Sequence, residues 1–236
     1  MMPAELGMKQ RRAVLLGATA LLAAPFALPL TISVAQAQTS EQVTVDGARK
    51  VLIDLRRDKE FGNARTLLRE AKAVLIVPKL IKGGFFIGGE GGDGVIMVRR
   101  GRGWSSPAFY ALGSASFGLQ VGLEQSEIIM LLMTQKAVEG VLHDQFKLGA
   151  QAGISVVTLG SGVEGAIGGA SPPDVVVWSS STGAYGGLTV DGSIIKSEPN
   201  HTAAFYRRSV TPREVLYGSV TNPWGDALRR DIDVFG

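Results

Sequence analysis

The stretch Ala73-Val-Leu-Ile-Val-Pro-Lys-Leu-Ile-Lys-Gly-Gly-Phe-Phe-Ile-Gly-Gly-Glu-Gly-Gly-Asp-Gly-Val-Ile-Met-Val98 decides how this chain folds. Ala73 to Val77 is a short apolar run rich in β-branched residues, which predicts a buried strand, and Pro78 marks its end. Val95 to Val98 repeats the pattern. Between and just beyond them, nine of the residues from 83 to 103 are glycine. Glycine inside strands marks bulges, sharp bends or close backbone approach. Asp93-Gly94 and the Gly101 to Gly103 region carry turn chemistry, so the segment is expected to form successive hairpin strands.

Upstream, residues 40 to 58 have helical periodicity. Ala48, Val51, Leu52 and Leu55 recur at i, i+3, i+4 and i+7 and make a narrow apolar stripe. Arg49 and Arg56 flank that stripe, while Lys50 and Arg57 lie opposite it. Asn63 is placed to cap a second short helix reaching about Lys72, with Leu67 and Leu68 inward. Downstream, strands are predicted at 114–124, 127–133, 152–159, 174–179 and 187–196, with one helix at about 134–145 carrying Ala137, Val138, Val141 and Leu142 inward. Residues 200–235 read as helical, and Thr211-Pro-Arg-Glu214 is a helix start with proline in the first turn. The economical fold is α+β: a strongly bent, Gly-rich antiparallel sheet with N-terminal, mid-chain and C-terminal helices packed on it.

Composition agrees with a folded domain. Of 236 residues 45% are hydrophobic and 19% charged, which excludes a disordered chain. Cysteine is absent, so disulfides, thiolate metal sites and cysteine nucleophiles are excluded. The only histidines are His143 and His201, too few for a multi-histidine metal site. No cofactor is expected.

Residues 1–37 read as an export signal. Lys9, Arg11 and Arg12 form a positive head, an apolar stretch runs from Ala13 to Leu30, and Ala35-Gln-Ala37 supplies a small-x-small cleavage pattern. Arg11-Arg12 resembles a twin-arginine signal, which exports folded proteins. Retention as an uncleaved anchor is the alternative. A single domain is expected over 38–236, periplasmic or secreted and peripherally attached to membrane.

Two segments fit G-x-G-x-x-G. Gly89 to Gly94 runs into a strand, so no helix N-terminus is there to hold a pyrophosphate; Gly160 to Gly165 is followed by Gly168, Gly169, Pro172 and Pro173, which break any helix. His143 reads as a solvated helix-end residue and His201 as a helix cap. Ser114, Ser116 and the histidines have no spacing that supports a hydrolytic triad, so no catalytic residue is assigned.

The feature with positive content is charge. Residues 49–102 hold thirteen Lys or Arg against six Asp or Glu, whereas 103–236 hold eight against twelve. The cations interleave with Leu55, Phe61, Leu67, Leu80 and Ile81. Apolar side chains framed by cations suit the boundary of an anionic bilayer, and they suit equally a helix face packed on a sheet with solvated charges around it. Nucleic acid is not the expected partner, because aromatic stacking platforms are sparse.

From about Ala71 onward the order of signatures resembles the SYLF-domain family of lipid-binding proteins. The matching pieces are Ala71-Lys-Ala-Val-Leu-Ile-Val-Pro-Lys79, Lys82-Gly-Gly-Phe-Phe-Ile-Gly-Gly89, Gly91-Gly-Asp-Gly-Val-Ile-Met-Val98, Trp104-Ser-Ser-Pro-Ala-Phe109, Gly113-Ser-Ala-Ser-Phe-Gly-Leu-Gln-Val-Gly122, the stretch from Gly183 to Ile194, and Thr211-Pro-Arg-Glu-Val-Leu216. The resemblance implies a compact α+β domain that binds membrane lipid through a basic amphipathic N-terminal helix. Here that maps onto Arg49, Lys50, Arg56 and Arg57, and secondarily onto Lys79 and Lys82. For an exported protein the implied partner is anionic phospholipid; the actin binding of eukaryotic relatives is not expected. A carrier enclosing an apolar ligand, or a hydrolase using a hydroxyl nucleophile, are the alternatives.

Overall fold

A computed structural model describes residues 38–57, 62–84, 87–117, 122–143, 145–148, 156–159, 173–181 and 192–235. The expected export signal at 1–37 and the second glycine motif at 160–165 lie outside them.

The N-terminal helix α1 (Ser40–Arg57) forms where the periodicity put it, and its stripe of Val45, Ala48, Val51, Leu52 and Leu55 is buried against the sheet. Complete burial of a side chain such as Val51, Leu52 or Leu55 is worth about 1.5–3 kcal/mol. Helix α2 (Gly62–Glu70) begins one residue before Asn63, which places Asn63 in its first turn rather than ahead of it. Leu68 is buried and Leu67 is partly covered, as the stripe required.

Strands β1 (Ala73–Gly84), β2 (Ile87–Arg100), β3 (Gly103–Trp104), β4 (Ala108–Phe117) and β5 (Gly122–Leu132) follow. Next come α3 (Gln135–Leu142), β6 (Gln145–Lys147), β7 (Val156–Leu159), β8 (Val175–Ser181) and β9 (Ile194–Ser197). The chain ends with α4 (Pro199–Tyr206), α5 (Pro212–Tyr217) and α6 (Pro223–Asp233). Among the described residues the strands form one strongly curled sheet in the order β6-β9-β4-β2-β1-β5-β8-β7, with β3 paired to β2. All pairings are antiparallel except β7 with β8, which is parallel. Val74 to Val77 and Val95 to Val98 are buried at successive positions, because helices or chain cover both faces of the central strands.

Three expectations are corrected. Pro78 does not end β1. The strand continues to Gly84 across a bulge, with register shifts between Val77 and Leu80 toward β5 and between Ile76 and Ile81 toward β2. A proline in a central strand would leave ladder bonds unmade; an extra residue lifts it out of both ladders. Asp93-Gly94 is not a turn either: both residues sit mid-strand in β2, opposite Ala111 and Tyr110 of β4. The glycine there is needed for space. A Cβ on Gly94 would lie 2.5 Å from the Ile76 carbonyl oxygen, and one on Gly92 would lie 2.3 Å from that of Lys79. These two positions accommodate the bulged backbone of β1. Finally, the expected strand at 114–124 is the end of β4 and the start of β5, and the two flank the β1–β2 pair.

The C-terminal helices begin as read. Thr211 accepts from the Glu214 N–H, and Glu214 reaches back to the Thr211 N–H, a complete capping box. His143 is exposed and forms the C-cap of α3, in extended conformation just after Leu142. His201 is no cap; it lies inside α4 and faces α1.

Gly92→Ala is expected to destabilise the domain by about 1–3 kcal/mol, the usual range for forced overpacking. Thermal unfolding should move down by several degrees. Gly89→Ala, where an added Cβ would meet nothing closer than 3.6 Å, should leave the midpoint nearly unchanged. Equal shifts in the two variants would contradict the bulge-accommodation account.

Candidate functional site

Pro78 is also where the N-terminal helix meets the sheet. Gly47 of α1 lies so close that a Cβ there would stand 2.8 Å from the Pro78 Cβ. Beside this contact an open groove of about 650 Å³ runs between α1 and strands β1, β2 and β5. Val43 and Lys50 line it from the helix, Lys79 and Ile81 from β1, Asp93 from β2 and Glu127 from β5. Val43 is 56% exposed and Ile81 45%, two of the most exposed large apolar side chains among the described residues. The bulge sets this chemistry: Leu80 turns into the core, and Lys79 and Ile81 turn out.

The six cations proposed from sequence do not share one surface. Arg49 Nε donates to Asp231 Oδ2 at 2.6 Å, and its Nη1 lies 3.6 Å from Asp46 Oδ1. The hydrogen bond it donates to Asp231 raises its pKa, and the pair ties α1 to α6. Lys50 Nζ lies 2.7 Å from Asp54 Oδ2 and 3.3 Å from Glu127 Oε1, and these carboxylates, Asp54 first, raise its pKa. Arg56 and Arg57 are exposed in the last turn of α1. Lys79 is exposed on the groove wall. Lys82 is half-buried, in register with Glu90 on one side and Glu124 on the other. Alternation along β1 puts it on the sheet face opposite Ile81. Only Lys50 and Lys79 of the six line the groove.

Other polar groups near the sheet are paired with one another. Ser114 Oγ donates to Glu90 Oε1 at 2.7 Å, so that serine is engaged by a carboxylate rather than by a histidine. The first glycine motif lies within β2, with no helix after it. Among the described residues no cluster of His, Asp and Glu has the make-up of a metal site.

A family model described as "Ysc84: Las17-binding protein actin regulator" matches residues 113–233. That is just over half of the chain. The chain belongs to the Ysc84 family.

Among curated relatives, SH3 domain-containing YSC84-like protein 1 of Bos taurus is 27% identical over 159 residues, covering 66% of this chain and 46% of that protein. LAS seventeen-binding protein 3 of Saccharomyces cerevisiae is 32% identical over 163 residues, 66% of this chain and 35% of that protein. Protein YSC84 of the same yeast is 32% identical over 174 residues, 71% and 36% respectively. The chain thus spans less than half the length of these relatives. The Ysc84 match begins within β4 and closes near the end of α6, so it leaves out α1, β1 and β2, which build the groove. The SYLF resemblance read from the sequence and this match point to one family.

One contact outside the groove had no sequence signal. His201 Nδ1 lies 2.8 Å from Glu41 Oε1, across 160 residues, and holds α4 against the start of α1. Burial pushes the Glu41 carboxyl up, but hydrogen bonds from His201, its own backbone N–H, Thr39 and Ser40 together hold it below the ordinary carboxylate range. A carboxyl depressed on folding contributes stability at pH above the unfolded-state value, lost as pH falls through the folded-state value. Glu214, held down chiefly by its bonds from Thr211, acts in the same direction.

Thermal stability should therefore be flat near neutral pH and fall below about pH 4. His201→Ala should cost about 1 kcal/mol near neutrality, an estimate discounted for the exposed imidazole, and should lessen the acid slope. A variant that keeps the parental slope would contradict the assignment to Glu41.

Proposed function

We propose that this Ysc84-family chain is a non-catalytic module that docks on anionic phospholipid in the periplasm, after export directed by residues 1–37. The observation that carries this reading is the groove beside α1, where exposed Val43 and Ile81 flank the exposed cation Lys79. Apolar side chains entering the head-group boundary with cations on the phosphates are what interfacial binding requires. Arg56 and Arg57 extend the cationic surface at the end of α1. Lys50 belongs to the groove with its charge balanced by Asp54 and Glu127, and Arg49 serves the α1–α6 seam. Lys82 is assigned a minor part, since it faces the other side of the sheet. The Las17 and actin partners named for the family model are not carried over to an exported chain.

The groove's volume lies within the range of small-ligand clefts, which favours a second reading as carrier of an apolar ligand. Mass spectrometry of gently purified protein separates the two: a carrier retains a stoichiometric lipid, a docking module does not.

Each cation near an anionic surface is worth about 1 kcal/mol, so Arg56, Arg57 and Lys79 together supply about 3 kcal/mol. In vesicle sedimentation the mature protein should prefer phosphatidylglycerol to phosphatidylcholine and bind less at high salt. Replacing all three by Ala should weaken binding roughly 100-fold. Arg49→Ala should instead lower the unfolding temperature and leave vesicle affinity within about threefold. Binding independent of lipid charge would refute the reading.

A further inference from the structure

The arginines at the far end of β2 and in the C-terminal helices form a second surface, separate from the groove. Seven residues of strand separate Asp93 from Arg100, a distance of about 23 Å. Arg99 is used internally: its guanidinium lies 4.2 Å from the centroid of the Trp104 ring and donates to the carbonyls of Ala71 and Leu68. The next two arginines point outward. Arg100 is exposed and its Nη1 donates to the Gly218 carbonyl, a neutral partner, and no carboxylate among the described residues forms an ion pair with it. Arg102 is exposed in the tight turn between β2 and β3.

That hydrogen bond brings the end of β2 to α5, which carries more of the same chemistry. Arg213 lies with its Cζ 5.7 Å from the centroid of the Tyr217 ring, and Tyr217, next to Gly218, is 44% exposed. Arg208 is exposed and near enough to Glu214 to help hold its carboxyl down. The preceding residue, Arg207, has φ +51°, the only non-glycine residue with positive φ among those described. A helix end of this shape ordinarily takes glycine, so an arginine there accepts backbone strain in a turn that presents two cations. The acid within the cluster, Glu214, has its Oε2 engaged by the Thr211 N–H at 2.7 Å and hydroxyl at 2.9 Å. Asp233, the other acid at this end, faces the Gly103 and Arg99 side.

We propose that Arg100, Arg102, Arg208 and Arg213, grouped around exposed Tyr217, form a second bilayer-docking surface that binds the phosphates of anionic lipid head groups. Guanidinium forks match phosphate oxygens bidentately. An exposed tyrosine among them is the amphipathic side chain that settles at the head-group level, which favours a bilayer over a soluble polyanion. The proposal rests on the lipid-docking reading above and adds a second contact to it.

The test uses the mature protein and vesicles of phosphatidylglycerol mixed with phosphatidylcholine. The variant Arg100→Glu, Arg102→Glu, Arg208→Glu, Arg213→Glu is expected to bind at least 30-fold more weakly. The same four positions changed to Lys keep the charge, and should restore binding to within about fivefold while controlling for folding. A local readout comes from Tyr217→Trp with brominated lipid: its emission should be quenched beyond that of the parent, and Val43→Trp reports the groove in the same way. Quenching at Val43→Trp alone, with full binding by the four-Glu variant, overturns this proposal and leaves the groove reading standing. Quenching at Tyr217→Trp alone supports it and overturns the groove. A parent that binds polyglutamate or nucleic acid but no vesicle overturns both.

Discussion

Pro78, at the centre of the sheet, is the constraint on which the rest of the structure depends. A proline in a strand flanked by two others can persist only if the chain makes room for it. The bulge removes Pro78 and Lys79 from the β5 ladder, and three glycines accept the displaced backbone and ring: Gly92 and Gly94 from β2, Gly47 from α1. Each contact is steric, and each leaves no space for a β-carbon. The seating of the N-terminal helix, the bend in the sheet and the outward turn of Lys79 and Ile81 share this origin.

The same geometry sorts the cations. Charges that fall on seams between elements are matched: Arg49 meets Asp231 between α1 and α6, Lys50 meets Glu127 between α1 and β5, Arg99 donates to the carbonyls of Ala71 and Leu68, and Arg69 to that of Phe235. Charges beyond the seams, at Arg56, Arg57, Lys79, Arg100 and Arg102, are exposed. For half-buried Arg49 and Arg99 the matching is what desolvation predicts, since a cation taken out of water needs a partner to offset the loss, whereas Lys50 is exposed and its pairing is a surface one. A basic stretch of sequence thus divides into structural and surface charges, and only the latter are suited to meeting a bilayer.

Family membership and surface chemistry overlap only in part. The Ysc84 match covers residues 113–233, from within β4 through α6, whereas of the elements that build the groove only β5 falls in it, and α1, β1 and β2 do not. Since one fold hosts many activities, the functional reading has to come from the site itself. The groove borders the middle of β2 and the arginine cluster its C-terminal end, so the two proposed docking surfaces lie along one strand.

Much of the fold was legible because it rests on local periodicity. The stripe of α1, the apolar runs at 73–77 and 95–98, the face of α3 and the Thr211 capping box each encode their element within a few residues. Turn chemistry misled at Pro78 and Asp93-Gly94, because proline and glycine report backbone freedom without saying whether it serves a turn or a close approach. The candidate site was legible as a region and not as a surface: all six basic positions were visible, but their partners lie on other elements. Asp231 is 182 residues from Arg49, and Glu41 is 160 from His201. By itself, then, the sequence determined which segments are helix and which are strand, and that the N-terminal half is cationic. Only the tertiary structure decided which cations are neutralised, where proline is tolerated and which apolar side chains stay in water, because those outcomes depend on distances between residues that no local pattern records.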